Sequence, residues 1–154
     1  YHSLIITDKI VIIQREGSFA VGEGVIEPWP GEFFLMQPVE RQNLPRKFPS
    51  ASSMVQYADA AAVEGAVLRT RAPGDYFSPF GMEGKKKLKD WMIDEKIPRE
   101  ARGSMPLLAK GSEILWIVGY ALSDRAKVRR DSSAVCKISY MYNTGEESAK
   151  ENEG

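Results

Sequence analysis

This sequence has little of the chemistry from which active sites are usually built. Its 154 residues include one histidine, His2, and one cysteine, Cys136. A single cysteine excludes an internal disulfide and fits a reducing compartment. Neither a Cys/His zinc cluster nor a Ser/His/Asp triad around an internal histidine can be assembled. Cys136 lies in an alternating apolar stretch, which favours a buried structural thiol over a nucleophile.

Long apolar runs and nucleotide-binding loops are also missing. No apolar run reaches the roughly 18 residues that a membrane-spanning helix needs, and no signal-peptide cleavage pattern follows the first apolar residues. There is no Gly-x-x-x-x-Gly-Lys-Ser/Thr phosphate loop and no internal repeat. The sequence therefore predicts a chain that, on its own chemistry, is not catalytic and needs no metal or cofactor. An independent small enzyme with an unusual carboxylate site has little support.

The charge is balanced overall but unevenly distributed. The chain carries 21 Lys and Arg and 21 Asp and Glu, and 43% of its residues are hydrophobic, enough for one core. Residues 66–130 hold 14 of the basic and 8 of the acidic residues, a local charge of +6, whereas the segments on either side are each −3. The middle of the chain is therefore the part suited to a polyanionic partner.

Strand patterns dominate the secondary structure, which predicts an α+β fold: a strand-rich mixed sheet or sheets with one or two short helices. Residues 4–6 and 10–13 predict a hairpin around residues 8–9. The ambiguous segment 54–63 is interpreted as a strand into Tyr57 followed by a helical turn after Asp59. Residues 37–53, with three prolines, predict an irregular connection. The remaining predicted strands are 33–36, 67–71, 105–109, 114–120 and 135–142.

The chain is organised around residues 67–102, which carry nine of its 21 basic residues. Helical spacing over residues 85–96 predicts one helix that buries Leu88, Trp91 and Met92 and presents Lys85, Lys89 and Lys96 on an adjoining face. A lysine run alone is usually only a solvated face. Here flanking arginines make a surface for phosphates the favoured interpretation. The candidate nucleic-acid-binding residues are Arg69, Arg71, Lys85, Lys86, Lys87, Lys89, Arg99 and Arg102.

Two aromatic residues follow the turn at residues 72–75. Tyr76 and Phe77 are suited to stacking on an exposed base, but core packing is the better interpretation for at least one of them. Asp75 is expected to stabilise the turn through its side chain. Arg69 and Arg71 are expected to share one face of a strand, since side chains alternate with a period of two.

Four blocks in this order and spacing resemble a known family. They are residues 68–75, 81–90, 94–102 and 114–119, and together they resemble the C-terminal domain of bacterial tRNA(Ile)-lysidine synthetase over roughly residues 57–138. The resemblance implies an α+β fold similar to a domain of the phenylalanyl-tRNA synthetase β subunit. It also implies that the eight basic residues help to hold tRNA, including its acceptor stem.

The family joins lysine to the anticodon cytidine of an isoleucine tRNA and uses ATP through an adenylated intermediate. That chemistry belongs to an N-terminal PP-loop domain marked by Ser-Gly-Gly-x-Asp-Ser, which this sequence lacks. The resemblance therefore implies a cytoplasmic, bacterial tRNA-binding module without its catalytic domain. The implied partners are isoleucine tRNA, the catalytic domain of the same enzyme and a second copy in a homodimer, with no membrane.

The expected organisation has three parts. Residues 1–56 form a strand-rich preceding segment with an irregular linker, residues 57–142 the tRNA-recognition domain, and residues 143–154 a disordered acidic tail. An alternative hypothesis is a docking or dimerisation domain whose lysines only maintain solubility and touch no nucleic acid.

Overall fold

The computed structural model describes residues 2–7 and 10–143. The predicted turn at residues 8–9 and the predicted tail from residue 144 onward lie outside these residues. Three short helices occur in the described part: α1 (Ala60–Val63), α2 (Leu88–Asp94) and α3 (Arg99–Arg102). The strands are β1 (His2–Thr7), β2 (Ile10–Arg15), β3 (Phe19–Ala20), β4 (Gly24–Trp29), β5 (Glu32–Val39), β6 (Val55–Asp59), β7 (Val67–Arg69), β8 (Tyr76–Phe77), β9 (Lys86–Lys87), β10 (Leu107–Lys110), β11 (Glu113–Ile117), β12 (Ala121–Leu122) and β13 (Val135–Tyr142).

The strands form three sheets, which confirms the predicted α+β class. Strands β1 and β2 pair as an antiparallel hairpin, as predicted. A four-stranded antiparallel sheet has the order β4-β5-β13-β6. A seven-stranded sheet has the order β3-β7-β10-β11-β8-β9, with β12 also paired to β11. Only β8 and β11 run parallel among the described strands.

Two apolar clusters lie on opposite faces of the seven-stranded sheet. Its face toward the four-stranded sheet carries Leu108 and Trp116, which pack with Trp29 and Phe34. The other face carries Leu107 and Ile117, which pack with residues of α2. The register of β10 against β11 shifts between Leu108 and Ala109. Because of this bulge, two consecutive residues of β11, Leu115 and Trp116, belong to the same cluster.

A buried ion pair joins the N-terminal hairpin to the rest of the molecule. The Nε atom of Arg15 donates to both carboxylate oxygens of Glu32 at 2.9 Å, and its Nη1 donates to the Ser104 carbonyl at 2.6 Å. The Tyr140 hydroxyl donates to the same carboxylate. The Glu32 side chain is only 4% exposed, so the charge of Arg15 and these hydrogen bonds make its burial tolerable. Strands β2, β5 and β13 therefore meet at one polar cluster.

The predicted helix over residues 85–96 is wrong at its start. Lys86 and Lys87 form β9, whose residues pair with Phe77 and Tyr76, and the helix begins only at Leu88. Lys85 therefore does not share a helical face with Lys89. The predicted buried face of Leu88, Trp91 and Met92 is confirmed.

Other boundaries moved by a few residues. The strand predicted over residues 67–71 ends at Arg69, and the one predicted over residues 105–109 begins at Leu107. The strand predicted over residues 114–120 ends at Ile117. The strand into Tyr57 and the helical turn after Asp59 are confirmed as β6 and α1. The boundary predicted between residues 56 and 57 falls inside β6, and the division into functional domains stays a prediction.

Candidate nucleic-acid interface

Arg69 is held inside the protein by an ion pair with Asp75. Its two terminal nitrogens donate to the two Asp75 carboxylate oxygens at 2.9 and 2.8 Å, and they also donate to the carbonyls of Thr70 and Gly111. The Arg69 side chain is 15% exposed and that of Asp75 is 2% exposed. Most of the donors of this guanidinium are thus already used, so Arg69 is the least available of the eight candidate residues.

Asp75 fixes the turn that follows β7. Besides binding Arg69, its carboxylate accepts the Ala72 backbone N–H at 2.8 Å. Gly74 has a φ of 86°, a left-handed conformation that glycine adopts without strain. The expectation that Asp75 stabilises the turn is confirmed, and the ion pair with Arg69 adds a second role that the spacing did not indicate.

A groove beside this turn collects most of the other candidate residues. Its volume is about 690 Å³, and residues 72–75 form part of its lining. Pairing of Tyr76 with Lys87 brings β9 alongside the turn, and the Leu88 N–H donates to the Asp75 carbonyl at 3.0 Å. Five of the eight predicted basic residues line the groove: Arg71, Lys87, Lys89, Arg99 and Arg102.

Two arginines of this groove are anchored by local contacts. The Nε atom of Arg102 donates to the Ile97 carbonyl at 2.9 Å, which leaves its two terminal nitrogens without a described hydrogen bond. The Nη1 atom of Arg71 lies 3.9 Å from the Met92 sulfur. Since Met92 is fully buried in the cluster under α2, Arg71 is positioned by the same packing that holds the helix.

The lining of the groove carries more positive than negative charge. Within residues 15–143, the part of the chain with described side chains, no carboxylate lies within 4.0 Å of any of the five cations. Four of the five side chains are exposed and Arg102 is half-buried. Asp75 is the acidic residue of the lining, and its charge is matched by Arg69. The arrangement is therefore suited to binding an anion with several charges, such as successive phosphates of a nucleic acid.

Lys85 and Lys86 lie outside the groove. Lys86 forms an ion pair with Asp94 of α2. The Lys85 ammonium lies 4.4 Å from the centre of the Tyr76 ring, a cation–π distance. The structure thus divides the predicted set into five groove residues and three residues with partners inside the protein.

The aromatic residues also separate into different roles. Phe77 is buried and packs edge-on against Trp91, with ring centres 5.8 Å apart, so the core-packing interpretation is confirmed for it. Tyr76 is half-buried and lies beside Lys85. Sequence reasoning missed Phe80, which is 56% exposed. Its position between Pro79 and Gly81 is the signal that predicts an aromatic residue in a loop.

Within residues 2–7 and 10–143, no group of three or more His, Cys, Asp and Glu residues is arranged to hold a metal ion. Cys136 is buried in β13, as predicted, and burial raises its thiol pKa to about 11. In this same part of the chain, no helix is long and apolar enough to cross a bilayer.

Comparison with known proteins gives a consistent relationship. Residues 66–139 match the family described as the TilS substrate C-terminal domain. The tRNA(Ile)-lysidine synthase of Caldanaerobacter subterraneus subsp. tengcongensis is 48% identical over 87 residues, which cover 56% of this chain and 19% of that protein. The tRNA(Ile)-lysidine synthase of Dehalococcoides mccartyi is 47% identical over 92 residues, 59% of this chain and 20% of that protein.

A solved structure extends the likeness beyond the matched segment. The crystal structure of a TILS C-terminal domain superposes with a TM-score of 0.67 at 27% identity, covering 84% of this chain and 98% of that chain. The chain spans about a fifth of the length of the two synthases named above. The resemblance found in the sequence blocks is thus confirmed, since residues 66–139 match the TilS substrate C-terminal domain family.

Proposed function

We propose that this chain is the tRNA-binding C-terminal module of a tRNA(Ile)-lysidine synthase, and that the groove holds phosphates of the tRNA. The observation that carries the proposal is the gathering of Arg71, Lys87, Lys89, Arg99 and Arg102 around one groove. Within residues 15–143, none of these five side chains forms an ion pair. Related synthases act on an isoleucine tRNA, as their name states. A surface of cations is how such a module binds RNA without a catalytic centre.

On this proposal, the chain contributes affinity and positioning. The ATP-dependent joining of lysine to cytidine stays with the PP-loop part of the enzyme, whose motif does not occur in this sequence. A tRNA partner, a catalytic-domain partner and a cytoplasmic location are further parts of this proposal, and the family relationship supports them.

The test is the salt dependence of binding to an isoleucine tRNA transcript, measured by fluorescence anisotropy. Each cation that contacts a phosphate contributes about one unit to the slope of log K against log salt concentration. Lys87→Ala combined with Lys89→Ala should therefore weaken binding at low salt and reduce the slope by about two. Both side chains are exposed, so the fold should survive the change.

The matched control replaces two lysines elsewhere, Lys47 and Lys137, with alanine. Neither lines the groove, so binding should be close to that of the unaltered protein. Equal loss in the control and groove variants would mean that binding is nonspecific and would refute the groove assignment. Failure of the unaltered chain to bind tRNA at low salt would refute the function itself.

The docking or dimerisation hypothesis makes a different prediction. Val25 is 59% exposed on β4, which is an edge strand of the four-stranded sheet, and exposed edges can pair with another chain. Concentration-dependent sedimentation in the absence of RNA binding would favour this alternative. The observed charge of the groove gives it no support.

A further inference from the structure

The loop between β8 and β9, residues 78–85, is fixed at both ends and carries an exposed aromatic residue. The Ser78 carbonyl accepts the Asp124 N–H at 2.8 Å, and the pairing of β8 with β9 closes the other side of the loop. Gly81 and Gly84 both have a positive φ, 76° and 83°, which gives the loop its tight turns. Phe80 is therefore held in an exposed position by fixed neighbours.

A cation lies beside the Phe80 ring. The Lys127 ammonium is 5.4 Å from the ring centre, and it is held there by a 2.6 Å hydrogen bond to Asp124. Arg129 also donates to Asp124, at its backbone carbonyl, and Arg125 nearby in the chain is exposed. One basic side chain, that of Lys127, thus lies beside the aromatic ring, and it shares the Asp124 carboxylate with Arg129.

The pairing of an exposed ring with a lysine indicates the kind of partner. The centre of a protein–protein interface is depleted of lysine, so a lysine beside an exposed ring does not suit an apolar protein surface. Aromatic rings beside Lys or Arg are the elements from which proteins build stacking platforms for unpaired bases. A paired base is already stacked within its duplex, so only an unpaired base can use such a ring.

We propose that Phe80 and Lys127 form a stacking site for an unpaired nucleobase of the RNA whose phosphates occupy the groove. This inference rests on the proposed function. The groove and the loop lie at opposite ends of the two-residue β8–β9 ribbon, because Tyr76 pairs with Lys87 at the groove end and Phe77 with Lys86 at the loop end. Two strand residues span only about 7 Å, so the loop that carries Phe80 begins close to the groove.

The test compares two RNA duplexes made of two strands with the same base pairs, one blunt and one with a short single-stranded end. Phe80→Ala should weaken binding of the RNA with the single-stranded end by about 5- to 100-fold and leave binding of the blunt RNA unchanged. Phe80→Leu, which keeps an apolar side chain but removes the planar ring, should show the same loss. Phe80→Trp should retain binding. The slope against salt should be unchanged in all three variants.

Met82→Ala is the matched control, since Met82 is 54% exposed in the same loop and has no planar ring. It should bind both RNAs as the unaltered chain does. If Phe80→Ala and Phe80→Leu bind normally while the unaltered chain binds with a steep salt slope, the stacking site is refuted and the proposed function stands. Equal loss on both RNAs, or loss in Met82→Ala as well, also refutes stacking. If the unaltered chain binds neither RNA nor tRNA, both proposals fall.

Discussion

Arg69 and Lys87 illustrate at the level of single residues how two nearby cations acquire different roles. The Arg69 guanidinium has a buried carboxylate and two backbone carbonyls as acceptors. The Lys87 side chain is exposed on the groove and has no described carboxylate partner. Arg69 therefore holds the turn at residues 72–75, whereas the Lys87 side chain remains available to the proposed phosphate.

Arg69→Ala should destabilise the protein strongly. The change leaves Asp75 buried without its counterion, for which a cost of roughly 3–5 kcal/mol is typical. Urea unfolding followed by circular dichroism measures the free energy of unfolding. Lys87→Ala is the matched control and should change that free energy by less than about 0.5 kcal/mol. Similar stability of the two variants would show that the Arg69–Asp75 pair is not a structural contact in solution.

The basic residues of the groove could be predicted from sequence. Which of the predicted side chains would instead be bound to a carboxylate inside the protein could not be predicted. The cluster of Lys and Arg in residues 66–130 is visible in the charge distribution. The partner of Arg69 depends on a turn that folds Asp75 back, and on Gly111, which is 42 residues away. Such long-range contacts have no signature in local spacing.

Prediction from sequence was limited in the same way for the helix in the segment from Lys85 to Ile97. Its apolar spacing correctly predicts the buried face of α2. The helix starts later than predicted because Lys86 and Lys87 gain backbone hydrogen bonds to β8, and such tertiary pairing overrides local helix propensity. At the other end, Lys96 adopts a φ of 57°, and the Ile97 N–H bonds the Met92 carbonyl at 3.0 Å.

Met92→Ala tests how α2 supports the groove. Met92 is fully buried, and truncating such a side chain costs roughly 2–5 kcal/mol. Loss of the contact with Arg71 should also weaken tRNA binding under conditions where the variant is still folded. Thermal unfolding and anisotropy measure the two effects.

Ile93→Ala provides the control on the same helix. Ile93 is 47% exposed, so its loss should change stability by less than about 0.5 kcal/mol and leave binding intact. A Met92→Ala protein as stable as Ile93→Ala would contradict the described packing of α2.

For the whole molecule, the α+β class was accessible from sequence because alternating apolar stretches mark the strands. The order of the strands within each sheet was not accessible from sequence. Strand β13 pairs with β5 and β6, although about a hundred residues separate it from β5, and sequence alternation identifies a strand without naming its neighbours.

Alkaline pH should destabilise the protein because two buried side chains of β13, Cys136 and Tyr140, lose their protons more readily in the unfolded chain. Burial raises the pKa of Cys136 from about 9 to about 11, and burial together with the Glu32 hydrogen bond raises the pKa of Tyr140. The unfolded chain therefore loses these protons at lower pH than the folded protein does. The stability that they contribute is present below pH 9 and is lost as pH rises, by up to about 1.4 kcal/mol per pH unit for each proton.

Urea midpoints measured between pH 8 and about pH 11 should fall with increasing pH. Cys136→Ala should fall less steeply than the unaltered protein over this interval. Tyr120→Phe, which changes an exposed tyrosine, should keep the original slope. An identical slope for Cys136→Ala and the unaltered protein would mean that the thiol titrates alike in both states.

The central place of β13 bears on how the molecule can be dissected. A protein cut to residues 66–139, the segment matched by the family, would retain most of β13 but lose both strands that flank it. It would expose two unpaired strand edges, and such edges promote aggregation. Even a cut just after Arg15 would leave Glu32 buried without its counterion. A truncated protein intended for binding or crystallisation should therefore begin upstream of Arg15.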